Sequence, residues 1–277
     1  MKAARLKDIL ATATDKLQHR LEAEVLIAHA LQKDRTYLYA HDQAQLSDDQ
    51  LSHIHQLIKR RQLGEPIAYL LEKRDFYGRS FKVTSATLIP RPETEMIIDQ
   101  VKALRLPHHA KVLDVGTGSG CIGLTLAAEY PDWTVCVSDC SKEALLVCQH
   151  NRQALDLTNV VMHQGDLLLP WRGQTFDLVV ANLPYIAPDD PHLNQGDLRH
   201  EPATALVADE AGLSLIRQLI EQAPQYLNLG GYLILEHGYD QQAELKKALQ
   251  NHGLTEIQGL QDLAGHDRLV MGRWVGA

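Results

Sequence analysis

Nowhere do the 277 residues run apolar for long enough to cross a bilayer as a helix, and they contain only four cysteines. The opening stretch MKAARLKDILATATDKLQ repeats apolar positions at helical spacing and lacks the continuous apolar centre of a secretion signal, so a cytoplasmic location with no membrane partner is expected. Cys121, Cys136, Cys140 and Cys148 are irregularly spaced inside periodic segments, which favours buried free thiols over disulfides or metal ligation and suits a reducing compartment. Positive charge is in deficit as well. The net charge of −8 argues against a protein that coats nucleic acid, while leaving room for a local basic patch. Internal repeats and low-complexity tracts are absent. So are the Gly-x-Ser-x-Gly elbow, the Walker loop and a Cys-His pair, which removes the usual signatures of hydrolysis, phosphoryl transfer and thiol chemistry. Histidine is plentiful, yet His53 and His55 stand two apart on one helical segment and His108-His109 lie in a loop, so no metal site is expected.

What is present divides the chain into three. Residues 1–72 read as successive helices: Leu6, Ile9 and Leu10, then Leu17, Leu21, Val25 and Ile27, then Leu51, Ile54, Leu57 and Ile58 recur at helical spacing. Ser47 with Gln50 predicts a capping-box start for the last of these, and Gly64 with Pro66 predicts its stop. The run Lys59-Arg60-Arg61 is expected to be a solvated helix end that favours the C-terminal dipole, or to face an acidic partner. Residues 73–90 carry short β-prone runs, FYGRSFKV and then TLIP, with Gly78 placed for a hairpin turn, and read as a linker. From residue 91 to 277, strand and helix patterns alternate through KVLDV, TVCVS, NVVMH, DLVVA, GYLILE, LTEIQ and RLVMGRW. Seven strands joined by right-handed crossovers predict an α/β fold with a mostly parallel, doubly wound sheet.

The first of these strands runs into a glycine turn and then a helix, VLDVGTGSGCIGLTLA, where Gly116, Gly118 and Gly120 let the backbone approach a ligand closely. The dinucleotide pattern G-x-G-x-x-G is satisfied by Gly118 to Gly123, so that cofactor class competes. Asp114 within the strand and the tight register of Gly116, Gly118 and Gly120 resemble motif I of the class I methyltransferases, Rossmann-like enzymes that bind S-adenosylmethionine. Thr117 and Ser119 fall in the same turn. Asp139 at the end of the second strand is placed to accept from two ribose hydroxyls, a task for an acceptor-only carboxylate. The same resemblance implies that Asp166, after the third strand, accepts from the adenine amino group, with Leu167 beside the ring.

Asn182-Leu183-Pro184-Tyr185 follows the fourth strand and resembles the (Asn/Asp/Ser)-Pro-Pro-Tyr motif of enzymes that methylate planar nitrogen. A delocalised nitrogen lone pair is a poor nucleophile, and acceptors that hold its N–H groups turn that lone pair toward the methyl. The Asn182 side-chain oxygen and the Leu183 carbonyl can supply two, with Pro184 rigidifying the turn and Tyr185 stacking on the planar group. Leu183 replaces the first proline of the motif, and the same tetrapeptide occurs in ribosomal RNA adenine dimethylases, so on its own it leaves the substrate open.

Four further segments, GEPIAYLLEKRDFYGRSFKV (64–83), LIPRPETE (88–95), EPATAL (201–206) and DLAGHDRLVMGRW (262–274), resemble the bacterial methyltransferases that modify a glutamine of peptide chain release factors. The likeness spans essentially the whole chain. It implies an N-terminal helical domain for substrate recognition over residues 1–72 and a linking hairpin over 73–90. It implies a catalytic domain over 91–277 that methylates the N5 amide nitrogen of the glutamine in a Gly-Gly-Gln loop and releases S-adenosylhomocysteine. Release factors 1 and 2 are the partners expected, with no nucleic-acid substrate and a monomeric enzyme. A nucleic-acid adenine-N6 methyltransferase and a noncatalytic cofactor-binding scaffold are the alternatives. Residue by residue, Pro90 and Pro92 stiffen the entry to the last domain, Glu93 and Glu95 begin a helix, and Glu201-Pro202 reads as a loop turn, to which only the resemblance gives the shaping of a pocket lid.

Overall fold

A computed structural model describes residues 5–276, so the first four residues of the amphipathic N-terminal pattern lie outside the described residues. The chain forms two compact units, one of the residues up to Lys73 together with His192–His200, the other of Arg74–Pro191 together with Glu201–Ala277. Among the described residues no helix is long and apolar enough to cross a membrane.

The first unit is helical: α1 (Leu6–Leu17), α2 (Arg20–Leu31), α3 (Arg35–Ala40), α4 (Asp48–Gln62) and α5 (Ile67–Leu70). Leu6, Leu26, Ile27, Ile54, Leu57 and Ile58 form its core. The capping box at α4 is complete: Ser47 Oγ accepts from the Gln50 amide at 3.2 Å, and Gln50 Oε1 accepts from the Ser47 amide at 2.9 Å. Two sequence expectations are corrected here. On α2 the buried stripe is Ala23, Leu26 and Ile27, whereas Leu21 is exposed, because Glu24 takes part of the inner face. Burial opposes ionisation of Glu24, but hydrogen bonds from Tyr39, Arg20 and Arg35 outweigh it and hold the carboxyl down at about 2. Arg61 is not a solvated helix end. It forks onto Glu22 at 2.7 and 2.9 Å and reaches Asp197 at 3.2 Å, which ties residues 192–200 to the end of α4.

The second unit opens with β1 (Arg74–Phe76) and β2 (Arg79–Phe81), joined by Tyr77 and Gly78, both at positive φ, the two-residue turn that matches strand twist. The next run, TLIP, is not a strand. The Ile89 amide donates instead to Glu201 Oε2 at 2.9 Å, and Pro90 has no amide hydrogen to offer a ladder. The chain continues through α6 (Glu95–Ala103), β3 (Lys111–Val115), α7 (Cys121–Glu129), β4 (Thr134–Asp139), α8 (Lys142–Ala154), β5 (Val160–Gln164) and β6 (Phe176–Ala181). After the short turn α9 (Asp209–Gly212) come α10 (Ser214–Gln222), β7 (Leu227–Glu236), α11 (Gln242–Asn251), β8 (Leu254–Gln261) and β9 (Asp267–Trp274).

The seven strands β3 to β9 make one sheet in the order β5-β4-β3-β6-β7-β9-β8, parallel from β5 to β7 and antiparallel at β9 and β8. Both faces are covered, so the parallel strands are apolar on alternate sides. Leu113, Val115, Val179 and Leu233 join one core cluster, while Val112, Val135, Val180 and Ile234 join the other. The order reverses at β3, whose neighbours are β4 and β6, and ligands of open α/β sheets bind outside the carboxyl ends of strands at such a switch point. All four thiols are free, but only Cys136 and Cys148 are buried: Cys121 is half-buried at the start of α7, and Cys140 is exposed just past the end of β4.

Candidate active site

A cavity sits at this switch point, where open α/β sheets place their small-molecule sites. Gly116, Thr117, Gly118, Ser119, Asp139, Asp166, Leu167, Asn182, Leu183 and Pro184 all line it. Four consecutive parallel strands supply them from their carboxyl ends, which is why residues distant in sequence converge. Gly120 and Tyr185 are absent from the lining. Gly120 instead caps the N-terminus of α7, and Tyr185 points its phenol elsewhere.

The glycine turn is held from beneath. The amides of Gly116 and Thr117 both donate to the Ser138 carbonyl, at 2.9 and 3.0 Å, which locks the turn to β4. Asp114 Oδ2 accepts from Thr117 Oγ1 at 2.6 Å and from the Gly123 amide at 2.9 Å, which closes the turn onto the start of α7. Complete burial pushes this carboxyl up to about 6 against the pull of those two donors. Gly116 has φ +70, and a Cβ there would meet Leu183 Cδ2 at 2.8 Å. The leucine that replaces proline therefore rests directly on the glycine turn.

Asp139 has a second duty that its position in the sequence does not reveal. Its Oδ2 accepts from the Gly118 amide and its Oδ1 from the Ser141 amide, both at 2.9 Å, so the carboxylate holds the turn and the start of α8 together. Each oxygen keeps a further lone pair for a ligand hydroxyl. Burial raises the pKa of this group. Asp166 is exposed on the same wall, and Leu167 is buried beside it. Two carboxylates, a glycine backbone and an apolar wall suit a cationic ligand that carries a sugar diol and a flat base, so these residues fit S-adenosylmethionine. Replacing Asp139 by alanine is expected to weaken binding of that cofactor by about 1.5–3 kcal/mol. Asp139→Asn, which keeps one acceptor oxygen, should lose less. Calorimetry on the folded variants checks both, and an unchanged dissociation constant in the alanine variant would remove Asp139 from the site.

At the end of β6, Asn182 Nδ2 donates to Thr94 Oγ1 at 3.2 Å. The amide nitrogen is thereby occupied, and Oδ1 remains as the acceptor. Tyr185 donates its phenol to Glu236 Oε1 at 3.3 Å, and its carbonyl accepts from Gln241 Nε2 at 3.0 Å. Burial raises the Tyr185 phenol well above its ordinary range. Glu236, at the end of β7, is pushed up to about 7 by burial, against the opposing pull of the Thr94 and Tyr185 hydroxyls. Across the cavity Glu201 is buried and accepts from the Ile89 amide and from Arg91, so residues 201–206 are tied to the 88–91 segment; Thr204 and Ala205 complete the wall.

Thr94 and Glu236 also belong to this hydrogen-bonded network although neither was expected at the site, and Asp114, expected only as part of the glycine motif, closes the turn. A carboxylate closing the otherwise apolar run GYLILE was the available signal for Glu236, and a threonine between two glutamates the signal for Thr94.

Residues 7–71 match the family model of the PrmC N-terminal domain, and residues 107–265 match that of a methyltransferase domain. A release factor glutamine methyltransferase from Xylella fastidiosa (strain 9a5c) is 42% identical over 271 residues, covering 97% of this chain and 98% of its own. One from Escherichia coli (strain K12) is 40% identical over 256 residues, covering 92% of each chain. The solved structure of a methyltransferase from Pyrococcus furiosus shares the fold, with a TM-score of 0.55 at 16% identity over 79% of this chain and 98% of that one. With likeness of this extent along nearly its whole length, and the glycine turn and Asn182 meeting in one cavity, the chain is an enzyme and belongs to the release factor glutamine methyltransferase family.

Proposed function

We propose that the chain transfers a methyl group from S-adenosylmethionine to the side-chain amide nitrogen of the glutamine in the Gly-Gly-Gln motif of peptide chain release factors 1 and 2. The observation that carries this reading is Asn182, whose amide nitrogen is engaged by Thr94 while its oxygen is left as an acceptor on the wall it shares with the glycine turn. When bound, the cofactor supplies an electrophilic methyl on a sulfonium and leaves as S-adenosylhomocysteine.

The chain's own residues bind and align. Asp139 would accept from the ribose hydroxyls of the cofactor and Asp166 from its adenine amino group, and the turn from Gly116 to Gly120 would let it approach the backbone. Asn182 Oδ1 and the Leu183 carbonyl accept the two N–H groups of the glutamine amide and so direct the nitrogen lone pair toward the methyl. Pro184 fixes the geometry of that pair. No strong base is needed, because a methylated amide that still carries its extra proton is very acidic and gives it up after transfer. The stacking expected of Tyr185 is not needed for this alignment. Its ring packs against the core, and its contribution is to anchor the motif.

Incubation with methyl-labelled cofactor and, separately, release factor and ribosomal RNA tests the reading. Label should enter the release factor and should vanish when the glutamine of its Gly-Gly-Gln motif is replaced by alanine. Label in RNA alone would establish the nucleic-acid alternative instead.

A further inference from the structure

We propose that Glu236 is a positioning residue for methyl transfer: it anchors the Tyr185 phenol, lies beside the Thr94 hydroxyl that holds Asn182, and thereby sets the orientation of the whole Asn-Leu-Pro-Tyr turn. The inference rests on the function proposed above. Its basis begins with sheet register. Ala181 on β6 pairs with Leu235 on β7, so Asn182, the first residue past β6, comes level with Glu236, the last residue of β7, which is still paired with Leu269 of β9. Glu236 is 2% exposed and does not line the cavity, so it acts through its neighbours and not on the ligand.

A carboxyl in this place is costly. An apolar residue at the end of β7 would pack without desolvating a charge, and buried ionisable groups often add nothing to stability. Glu236 Oε2 has no hydrogen-bond partner among the described residues, so the group is not there as one half of a satisfied ion pair. Arg268, whose charge acts on Glu236, is committed to Asp262 at 2.9 Å, and Glu93 adds like charge. The hydrogen bond that Glu236 does make leads to the acceptor turn, to the Tyr185 phenol through Oε1 at 3.3 Å, and the Thr94 hydroxyl that receives Asn182 favours its charged form.

The test compares Glu236→Ala, Glu236→Gln, Tyr185→Phe and the Glu236→Ala/Tyr185→Phe double variant in the full chain, with release factor and S-adenosylmethionine as substrates. Because misplacing a reacting pair by a fraction of its bonding distance is expensive, Glu236→Ala should lower kcat about 10–50-fold. The KM for release factor and the Kd for cofactor should stay within about twofold, since neither ligand touches Glu236. Glu236→Gln keeps an acceptor for the Tyr185 phenol and should recover most of the loss. The double variant should be little worse than Glu236→Ala alone, because both changes break one linkage. Parental kcat in Glu236→Ala, or losses that multiply in the double variant, would overturn the proposal. If the alanine variant does not fold, Thr94→Val takes its place: reduced kcat at unchanged cofactor affinity supports the linkage, and parental kcat overturns it. Absence of release factor methylation by the parental chain would sink the proposed function instead, so the two failures are told apart.

Discussion

Asn182→Ala will methylate release factor more slowly by on the order of a hundredfold in single turnover, while its affinity for S-adenosylmethionine stays within about twofold. The side chain has one end committed to Thr94 and the other free to accept, so truncation removes an oriented acceptor at the reacting nitrogen and leaves the cofactor's polar contacts at Asp139 and Asp166 in place. A hydrogen bond that strengthens only as the nitrogen lone pair is turned toward the methyl lowers the barrier directly, and for that reason the loss belongs to turnover and not to binding. Leu183→Pro provides the contrast. It keeps the backbone carbonyl assigned as the second acceptor but removes a buried side chain seated on Gly116, so it should cost stability, by about 1–3 kcal/mol, more than it costs turnover. Parental turnover in Asn182→Ala would return this turn to a mere strand exit.

The second large effect is expected at Gly212, which does not itself line the cavity. This residue has φ +84, and a Cβ built on it would lie 2.0 Å from the Tyr185 carbonyl oxygen, a backbone atom that cannot step aside alone. Alanine there carries the left-handed strain of an L-residue, about 1–2 kcal/mol. It also overpacks a site worth roughly another 1–3 kcal/mol. Relief requires moving the Tyr185 backbone, which Gln241 holds at 3.0 Å and which the pairing of Ile186 with Leu206 and Ala208 restrains further. Gly212→Ala should therefore lower Tm by roughly 5–15 °C. At temperatures where it is folded, it should still methylate poorly while binding cofactor nearly as before. A variant that melts and methylates like the parent would show that the acceptor turn tolerates displacement.

How much of this was legible follows from how far apart in sequence the interacting residues lie. The glycine turn, Asp139, Asp166 and the Asn-Leu-Pro-Tyr run each sit at the carboxyl end of a strand with apolar periodicity. The parallel sheet, also legible, then delivers them to one edge. The capping box at α4 was readable because both of its bonds span three residues. What escaped were links with no local periodicity: Asn182 to Thr94 across 88 residues, Tyr185 to Glu236 across 51, and Ile89 to Glu201 across 112. The TLIP run misled for the same reason. Its β-prone composition was real, but its amide found a distant carboxylate before any strand. Arg61 looked like surface charge because Glu22 and Asp197 stand on opposite sides of it in sequence, 39 and 136 residues away.

That last contact bears on the order of events during synthesis. The helical unit consists of the residues up to Lys73 and of His192–His200, the latter fastened by Arg61 to Asp197 at 3.2 Å and by Arg199 to the Leu63 carbonyl at 3.3 Å. A ribosome that has made only the N-terminal helices has made an incomplete body, whose final strap emerges more than a hundred residues later, after the strands that build the glycine turn and the acceptor turn. The helical body therefore acquires its last fastening only once the cavity-forming strands β3 to β6 already exist as chain, and a nascent polypeptide arrested before Asp197 would hold Arg61 against Glu22 without its second carboxylate.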